Sequence, residues 1–296
     1  MLLICPHSGL GNQIGNYVFA QFLIEKGFNV KFLMTCEKNP DRAFVLDKFN
    51  TGLTFASNEE IKIFLAQKTP FLSYKFLFKN ILFNRKIYFN SLYKILAGIR
   101  AGYNIYPKKT PSFLSKIVSY EDVLKYGLKD GAVCDCYSPI EEFNDEDFKN
   151  KMRGHFVLRE PLDERNRMVF DKIKSFKDSI GVHIRRGDYL KLKIPVVKPE
   201  FLFEKMDFMN NNFEKSHFFV FSDDINWAKE KLQKYKNINF IDINDESSGY
   251  LDFILMNECR HRIYSASSFS KWLRYLNPNT DSVEFMPDSK DLIVEP

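Results

Sequence analysis

"SIGVHIRRGDY", residues 179–189, combines a short apolar run with a cluster of charged side chains at its end. Ser179 to Val182 reads as a buried strand, and a histidine, two adjacent arginines and an aspartate follow at its tip. No acidic cluster lies beside the two arginines in sequence. Their charge must therefore be balanced by distant parts of the fold or by an anionic ligand.

Helix and strand patterns alternate regularly after this strand. Each apolar strand run is followed by a stretch with apolar residues at helical spacing. The predicted helices are 200–210, 225–235, 249–259 and 268–276, and the predicted strands between them are 217–223, 238–243 and 262–266. This alternation predicts a doubly wound α/β domain with a parallel sheet from about residue 155 onward.

The start of the chain carries the same alternation. A strand at Leu2–Cys5 precedes a glycine turn, and a helix at Asn12–Lys26 ends at Gly27 before a second strand at Asn29–Met34. A βαβ pattern implies parallel strands. We therefore predict an α/β fold of two Rossmann-like domains facing a cleft, with the N-terminal domain at 1–154 and the C-terminal domain at 155–296.

Composition excludes several classes of protein. The 296 residues are 45% hydrophobic and 27% charged, which is typical of a globular protein. Five cysteines without C-x-x-C spacing and five histidines without paired spacing predict no protein-ligated metal. Cys134 and Cys136 read as alternate residues of a strand. No basic leader begins the chain, and no apolar run reaches the roughly 20 residues that cross a bilayer, so we expect a cytoplasmic protein.

Segment 61–120 is strongly basic and aromatic. It contains eleven lysines and arginines and no aspartate or glutamate, although the whole chain has a net charge of only +5. The favoured interpretation is a helical subdomain whose lysines face water. The alternative is a face that lies on anionic lipid, peripherally at the inner membrane, or near a lipid-linked acceptor. Nucleic acid is not an expected partner, because no recognised binding module accompanies the charge.

"GLGNQ", residues 9–13, indicates a tight turn before a helix. Gly9 and Gly11 allow the backbone to approach a ligand closely, and the helix N-terminus offers unpaired N–H groups to an anion. A nicotinamide dinucleotide fingerprint would need a third glycine where Ile14 stands, so that class of cofactor is disfavoured. By itself the turn is equally compatible with no ligand at all.

The two arginines of the strand tip are expected to point in opposite directions. On an alternating strand, Arg185 shares a face with His183, so both are expected to reach into the cleft. Arg186 is then expected to pair with Asp188 and shape the turn. A purely structural cluster of arginines and aspartates is the alternative. An Arg185 both turned away from the cleft and locked to a neighbouring carboxylate would overturn the interpretation as an anion site.

Two further polar stretches follow predicted strands. Asp223 and Asp224 end one strand, where a carboxylate can accept hydrogen bonds from a base or a ribose, or can cap the next helix. "SASSFSKW", residues 265–272, lies at another junction between strand and helix. Its serine hydroxyls and N–H groups can face a phosphate, although a serine N-cap explains the pattern as well.

Together these stretches resemble the bacterial α-1,2-fucosyltransferases of glycosyltransferase family 11. The resemblance covers roughly residues 1 to 50 and 178 to 285. It rests on four motifs in this order: "GLGNQ" with its helix, "HIRRGDY", "FSDDINW" and "YLDFILMNECRHRIYSASSFSKW".

The resemblance implies a GT-B architecture, GDP-β-L-fucose as donor, no metal or other cofactor, and inversion to an α-1,2 linkage. The implied acceptor is a galactose-type 2-hydroxyl of a surface glycan precursor, such as O-antigen or capsule. Arg185 would hold the donor β-phosphate, His183 would lie beside the nucleotide, and Asp223 or Asp224 would contact guanosine. The donor-binding residues expected on this basis are Gly11, Asn12, Gln13, His183, Arg185, Arg186, Asp223, Asp224, Ser267, Ser268 and Phe269.

The expected chemistry follows from charge development on the leaving group. A departing GDP gains negative charge on its β-phosphate, and a fixed guanidinium stabilises that charge without a metal. Arg185 is therefore the first catalytic candidate, and Asp188 is the candidate general base. Two other functions stay open: a related transferase that uses another nucleotide sugar, and a non-catalytic protein that binds nucleotide or associates with membrane.

Overall fold

The computed structural model describes residues 1–4, 6, 9–32, 43–60, 133–134 and 143–295. The basic segment 61–120 and Cys136 lie outside the described residues, so the predictions made for them are not addressed by the structure. The chain forms two compact units. One consists of Met1–Asp47 and Thr51–Asp145, and the other of Lys48–Asn50 and Glu146–Pro296.

The first unit contains the predicted βαβ pattern. Its described strands are β1 (Leu2–Ile4), β2 (Val30–Phe32) and β3 (Val133–Cys134), which pair in parallel in the order β2-β1-β3. Helix α1 (Leu10–Glu25) connects β1 to β2. It ends as predicted: Gly27 takes a left-handed φ of 84°, and the N–H groups of Gly27 and Phe28 donate to the carbonyls of Ile24 and Leu23.

The second unit is built on a parallel sheet of five strands. Its strands are β4 (Asp178–Ile184), β5 (Val196–Val197), β6 (Ser216–Ser222), β7 (Ile238–Ile241), β8 (His261–Ile263), β9 (Glu284–Phe285) and β10 (Leu292–Ile293). The parallel sheet has the order β7-β6-β4-β8-β9, while β5 and β10 form a separate antiparallel pair. Because the five strands are parallel, their carboxyl ends meet at one edge, and the polar motifs follow these ends.

The helices of the second unit cover both faces of its sheet. They are α2 (Glu146–His155), α3 (Glu164–Ser175), α4 (Gly187–Lys191), α5 (Pro199–Asn212), α6 (Ile225–Leu232), α7 (Gly249–Glu258) and α8 (Ser268–Leu276). Buried residues of α5 and α6 pack with Ile180 and Val182 of β4. On the opposite face, a Cβ at Gly181 would meet Met256 of α7 at 3.0 Å. Residues 179–184 of central strand β4 are therefore buried because both of its faces are covered.

The alternation predicted for the second half of the chain is confirmed. Helix α8 has the bounds expected from the sequence, and β4, β6, β7 and β8 differ from expectation by one to three residues at their ends. Helices α2, α3 and α4 were not predicted. Within the described ranges, no helix is both long enough and apolar enough to span a membrane.

Candidate active site

Ser265 fixes the path of the chain where the polar motif leaves β4. Its hydroxyl donates a hydrogen bond to the carbonyl of His183 at 2.8 Å and accepts one from the N–H of Arg185 at 2.9 Å. Ser265 follows β8, the neighbour of β4 in the sheet, and is buried. Sequence reasoning placed Ser265 in the serine stretch without giving it a role, because its partners lie about 80 residues away.

Arg185 lies between two carboxylates at the carboxyl end of β4. Its Nη2 is 2.7 Å from Asp188 Oδ1, its Nη1 is 3.1 Å from Asp223 Oδ2, and its guanidinium lies 5.6 Å from the ring centre of Tyr189. The side chain keeps 21% of its surface exposed. Of the two conditions that together would overturn an anion site, binding of Arg185 to neighbouring carboxylates is therefore met.

The predicted pairing of Arg186 with Asp188 is wrong, because Asp188 pairs with Arg185 instead. The alternation of a strand does not continue beyond Ile184, where β4 ends. Helix α4 begins at Gly187, and its first turn carries Asp188 back toward the residue three positions earlier. A local change from strand to helix geometry thus reassigned the carboxylate.

Arg186 is buried in the second unit, with 3% of its surface exposed. Its Nη1 and Nη2 each donate to one oxygen of Glu295 at 2.7 Å, and its Nε lies 3.4 Å from Asp224 Oδ2. The guanidinium also lies 3.9 Å from the ring centre of Trp227. Burial disfavours the charge, but the hydrogen bonds that Arg186 donates to Glu295 and Asp224, together with their negative charges, outweigh burial and raise the pKa of Arg186. Its charge is therefore balanced by protein groups.

Asp223 and Asp224 both serve the arginines. Asp223 Oδ1 accepts the N–H of Arg186 at 2.8 Å while its other oxygen pairs with Arg185. Asp224 is the N-cap of α6, where Oδ1 accepts the N–H of Trp227 at 3.3 Å. The capping role predicted for one of the pair is confirmed for Asp224. The predicted contact with guanosine has to compete with these partners.

His183 is a buried, neutral imidazole. Its Nδ1 lies 2.8 Å from Ser270 Oγ, and its ring stacks on Phe269 with centroids 4.7 Å apart. Burial, together with the nearby charge of Arg185, lowers the pKa of His183 to about 3. The ring therefore presents hydrogen-bonding atoms without adding a charge at neutral pH.

The serine stretch begins α8 and meets the strand tip. Ser267 is the N-cap, and its Oγ accepts the N–H of Ser270 at 3.1 Å, so the predicted serine cap is confirmed. Ser268 and Phe269 are partly exposed in the first turn. Ser270, which the sequence did not single out, joins this turn to His183. The fold thereby brings residues of the second and fourth motifs together within one unit.

Gln13 of the first unit has a structural role. It is fully buried, its Nε2 donates to the carbonyl of Ala43 at 2.8 Å, and its Oε1 accepts the N–H of Val45 at 3.1 Å. Gly9 is the N-cap of α1, Gly11 is buried and Asn12 is partly exposed. Because the Gln13 amide already holds the chain at 43–45, its expected contact with a donor is disfavoured.

Asp252 is a candidate residue that sequence reasoning missed. It lies in the first turn of α7, and its Oδ1 accepts a hydrogen bond from Asn244 Nδ2 at 2.7 Å. Burial raises the pKa of Asp252 to about 6, although the hydrogen bond from Asn244 opposes this shift. A perturbed carboxyl at the carboxyl edge of a parallel sheet is a common mark of a functional site. The available signal was a single charge within the apolar run 250–256.

A metal site is not evident in the parts of the chain that the structure describes. No group of three or more histidine, cysteine, aspartate or glutamate residues there is arranged to hold an ion. The carboxylates at the carboxyl end of β4 pair with arginines instead.

Sequence similarity links part of the chain to curated enzymes. Galactoside alpha-(1,2)-fucosyltransferase 1 of Saimiri boliviensis boliviensis is 29% identical over 140 residues, which is 43% of this chain. The same enzyme of Alouatta belzebul is 30% identical over 143 residues. In both cases the match covers 38% of the relative, so the chain corresponds to well under half of these curated proteins.

Solved structures share the fold along nearly the whole chain. Fucosyltransferase NodZ from Bradyrhizobium superposes with a TM-score of 0.55 over 99% of both chains, at 12% identity. NodZ alpha-1,6-fucosyltransferase co-crystallized with GDP has a TM-score of 0.53 at 12% identity, over 98% of this chain and 97% of its own. The same enzyme soaked with GDP-fucose has a TM-score of 0.51 at 13% identity, over 99% of both chains. This likeness confirms the predicted fold class, α/β of the GT-B type.

The sequence profile of glycosyl transferase family 11 matches residues 143–291, which is half of the chain. The match contains the five-stranded parallel sheet and the three polar motifs at its carboxyl edge. The family predicted from the motifs is therefore confirmed, and the chain belongs to glycosyl transferase family 11.

Proposed function

We propose that the protein transfers L-fucose from GDP-β-L-fucose to the 2-hydroxyl of a galactose-type acceptor, forming an α-1,2 linkage on a surface glycan precursor. Family membership supports glycosyl transfer, and the curated relatives are galactoside alpha-(1,2)-fucosyltransferases. The solved NodZ structures that share the fold include one with GDP and one soaked with GDP-fucose. No metal or other cofactor is part of the proposal.

The observation that carries the proposal is the meeting of Arg185, His183 and the first turn of α8 at one edge of the sheet. Ser265 bonds to the backbone on either side of the strand tip, and His183 contacts Ser270 and Phe269. A helix N-terminus, serine hydroxyls and a guanidinium are the groups that stabilise a leaving diphosphate without a metal.

The two carboxylates beside Arg185 leave part of its guanidinium available. A guanidinium has five N–H donors, and Asp188 and Asp223 contact Nη2 and Nη1 with one oxygen each. Held from two sides, the planar group keeps one orientation, and its remaining N–H groups can donate to a phosphate. The negative charges of the two carboxylates oppose the approach of an anion, so the carboxylates do not themselves attract the diphosphate. We therefore assign to them the role of orienting Arg185.

Asp188 fits this orienting role better than the role of general base. A general base has to accept a proton from the acceptor hydroxyl, whereas the oxygen of Asp188 nearest to Arg185 lies 2.7 Å from a permanent cation. Proximity and orientation of the acceptor then supply much of the rate acceleration. Attack from the face opposite to GDP inverts the configuration at the sugar carbon.

Recognition of the base is assigned to Asp252 in preference to Asp223 or Asp224. The two adjacent aspartates bind arginines, while Asp252 accepts a hydrogen bond from one amide at Oδ1. An ionised carboxylate accepts two parallel N–H donors, which a guanine edge offers. We assign His183 and the Phe269 ring to contacts with the nucleotide portion of GDP.

We propose that the first unit binds the acceptor. The location of the protein in the cell is a separate proposal. We expect a cytoplasmic protein, with segment 61–120 either packed as a subdomain or lying on the inner membrane near a lipid-linked acceptor. Flotation with vesicles of neutral lipid and of anionic lipid distinguishes the two, since only a lipid-binding segment produces flotation that depends on anionic lipid and falls with added salt.

The test of the function is donor specificity measured in EDTA. We expect calorimetry to show binding of GDP in preference to UDP, and we expect GDP-fucose to be consumed in the presence of a galactoside acceptor. Arg185→Ala, still folded, should lose about 100-fold or more in kcat, the scale for removing a group that stabilises developing charge. A preference for UDP, or full activity of Arg185→Ala, would refute the proposal.

A further inference from the structure

Glu295 forms a bidentate salt bridge with Arg186, the second arginine of the motif at the end of β4. Each oxygen lies 2.7 Å from one terminal nitrogen of Arg186. A two-pronged pair of this kind fixes the orientation of the guanidinium as well as its distance. Only 3% of Arg186 is exposed, so its guanidinium is shielded from water, while the Glu295 side chain keeps 30% of its surface exposed.

The backbone delivers Glu295 to this place. Strand β10 pairs antiparallel with β5, and the N–H of Lys198 donates to the carbonyl of Asp291 at 2.9 Å. The short turn before β10 is closed by a capping box between Asp288 and Asp291. The ladder ends at Ile293, so main-chain pairing brings the chain to within two residues of Glu295.

The other sides of Arg186 are also fixed. The ring of Trp227 lies against the guanidinium, with its centre 3.9 Å from the guanidinium carbon, and Asp224 contributes a more distant oxygen at 3.4 Å from Nε. A stacked cation of this kind gains energy from the ring as well as from the carboxylates. Carboxylates and an aromatic ring therefore contact the guanidinium from different sides and support its observed orientation.

This arrangement reaches Arg185 through Asp223. Asp223 Oδ1 accepts the backbone N–H of Arg186 at 2.8 Å, and Oδ2 pairs with Arg185 at 3.1 Å. Without Glu295, the buried guanidinium of Arg186 would keep Asp224 as its remaining carboxylate partner. Asp223 is the adjacent carboxylate, and a shift of Arg186 toward it would compete with Arg185.

We propose that Glu295 is a positioning residue of the donor site: by holding Arg186 against Trp227, it reserves Asp223 for Arg185. The inference rests on the proposed function, in which Arg185 holds the diphosphate. It goes beyond the motifs, because Glu295 lies outside all of them and outside the family match at 143–291.

The direct test is hydrogen–deuterium exchange of the peptide 184–192, which contains both arginines. We expect Glu295→Gln to raise its exchange, and the shorter but charged Glu295→Asp to raise it less. Arg186→Gln should in turn raise exchange in 289–295, because the contact is mutual. Glu214→Gln is the matched control, since it removes an exposed carboxylate from the turn before β6, at the opposite edge of the sheet.

The functional readout is GDP affinity together with kcat and KM. We expect Glu295→Gln to weaken GDP binding about tenfold, the scale of coupling between residues of one salt-bridge network, with partial recovery in Glu295→Asp. Unchanged exchange at 184–192 in Glu295→Gln would show that Glu295 does not hold Arg186 in place. Altered exchange with GDP affinity and kcat equal to those of Glu214→Gln would overturn the positioning role.

Failure of the proposed function is recognised separately. If the unaltered protein does not bind GDP, the function is wrong, while the exchange data still decide whether Glu295 holds the motif. The peptide 216–222 of the core strand reports folding. If Glu295→Gln also raises the exchange of peptide 216–222, the variant is destabilised as a whole. Glu295→Asp, which retains the charge, is then compared with the unaltered protein instead.

Discussion

Gly187 and Asp223 approach so closely that a side chain at position 187 has no room. A Cβ on Gly187 would lie 2.8 Å from Asp223 Oδ2, the oxygen that pairs with Arg185. We predict that Gly187→Ala displaces Asp223, releases Arg185 and lowers GDP affinity and kcat by about tenfold or more, because small misplacements at a site are costly. Calorimetry and steady-state kinetics measure both.

Gly154→Ala is the matched control for this substitution. A Cβ at Gly154 of α2 would meet nothing within 4 Å, and alanine favours a helix over glycine by roughly 1 kcal/mol. The control should bind GDP normally and unfold at an equal or higher temperature. If Gly187→Ala behaved in the same way as Gly154→Ala, the close approach would have no role in the site.

Asp188→Asn separates the orienting role from a general base. If Asp188 orients Arg185, the uncharged amide keeps its shape and removes a charge that opposes an anion, so we predict GDP affinity unchanged or higher and kcat reduced less than tenfold. A general base would contribute about 100-fold or more to kcat. Kinetics with GDP-fucose decide the matter, and a loss of that size at unchanged GDP affinity would contradict our assignment.

Asp252→Asn tests recognition of the base. Burial raises the pKa of Asp252 to about 6, so the ionised acceptor is present above that pH and is lost as the pH falls through it. We predict that GDP binding weakens below about pH 6 in the unaltered protein and that Asp252→Asn binds GDP weakly at every pH. Inorganic diphosphate, which lacks a base, should bind both proteins equally.

The matched control for Asp252→Asn is Asp171→Asn, which changes an exposed aspartate of α3. It should retain the affinity and the pH profile of the unaltered protein. Equal loss of GDP and of inorganic diphosphate in Asp252→Asn would place its effect on the phosphates or on the fold rather than on the base.

The buried imidazole of His183 predicts a loss of stability in acid. Its pKa of about 3 in the folded protein lies below the ordinary value near 6.5 that it regains on unfolding. Below about pH 6.5 the unfolded chain therefore binds the proton first, and the free energy of unfolding falls by up to about 1.4 kcal/mol per pH unit from this group. Urea unfolding between pH 7 and about pH 4 measures the slope.

His183→Gln isolates this contribution, because glutamine does not titrate and can still bond to Ser270. We predict that the variant loses less stability than the unaltered protein over the same pH range. Asp252 acts in the opposite sense, since its raised pKa stabilises the fold as the pH falls below about 6, but it contributes equally to both proteins. If the free energy of unfolding fell equally with decreasing pH in His183→Gln and in the unaltered protein, His183 would not be held neutral by burial.

Elements whose signals are local could be read from the sequence. Helix α8 begins at the serine cap and ends where its apolar spacing ends, and Gly27 closes α1, because caps and periodicity depend on residues within one or two turns. The short apolar run 180–182 predicted a buried strand, and β4 is the central strand of the parallel sheet. The family followed from the order of the motifs.

The partners of the charged side chains were decided by the tertiary structure alone. Arg186 meets Glu295, which is 109 residues away, and Ser265 reaches back 80 residues to Arg185. Even the short-range pairing of Asp188 was misassigned, because it depends on where β4 gives way to α4. The types of side chain at the site can thus be read from the local sequence. Which carboxylate balances which arginine depends on the tertiary structure, because a buried charge needs a partner that the fold brings close to it.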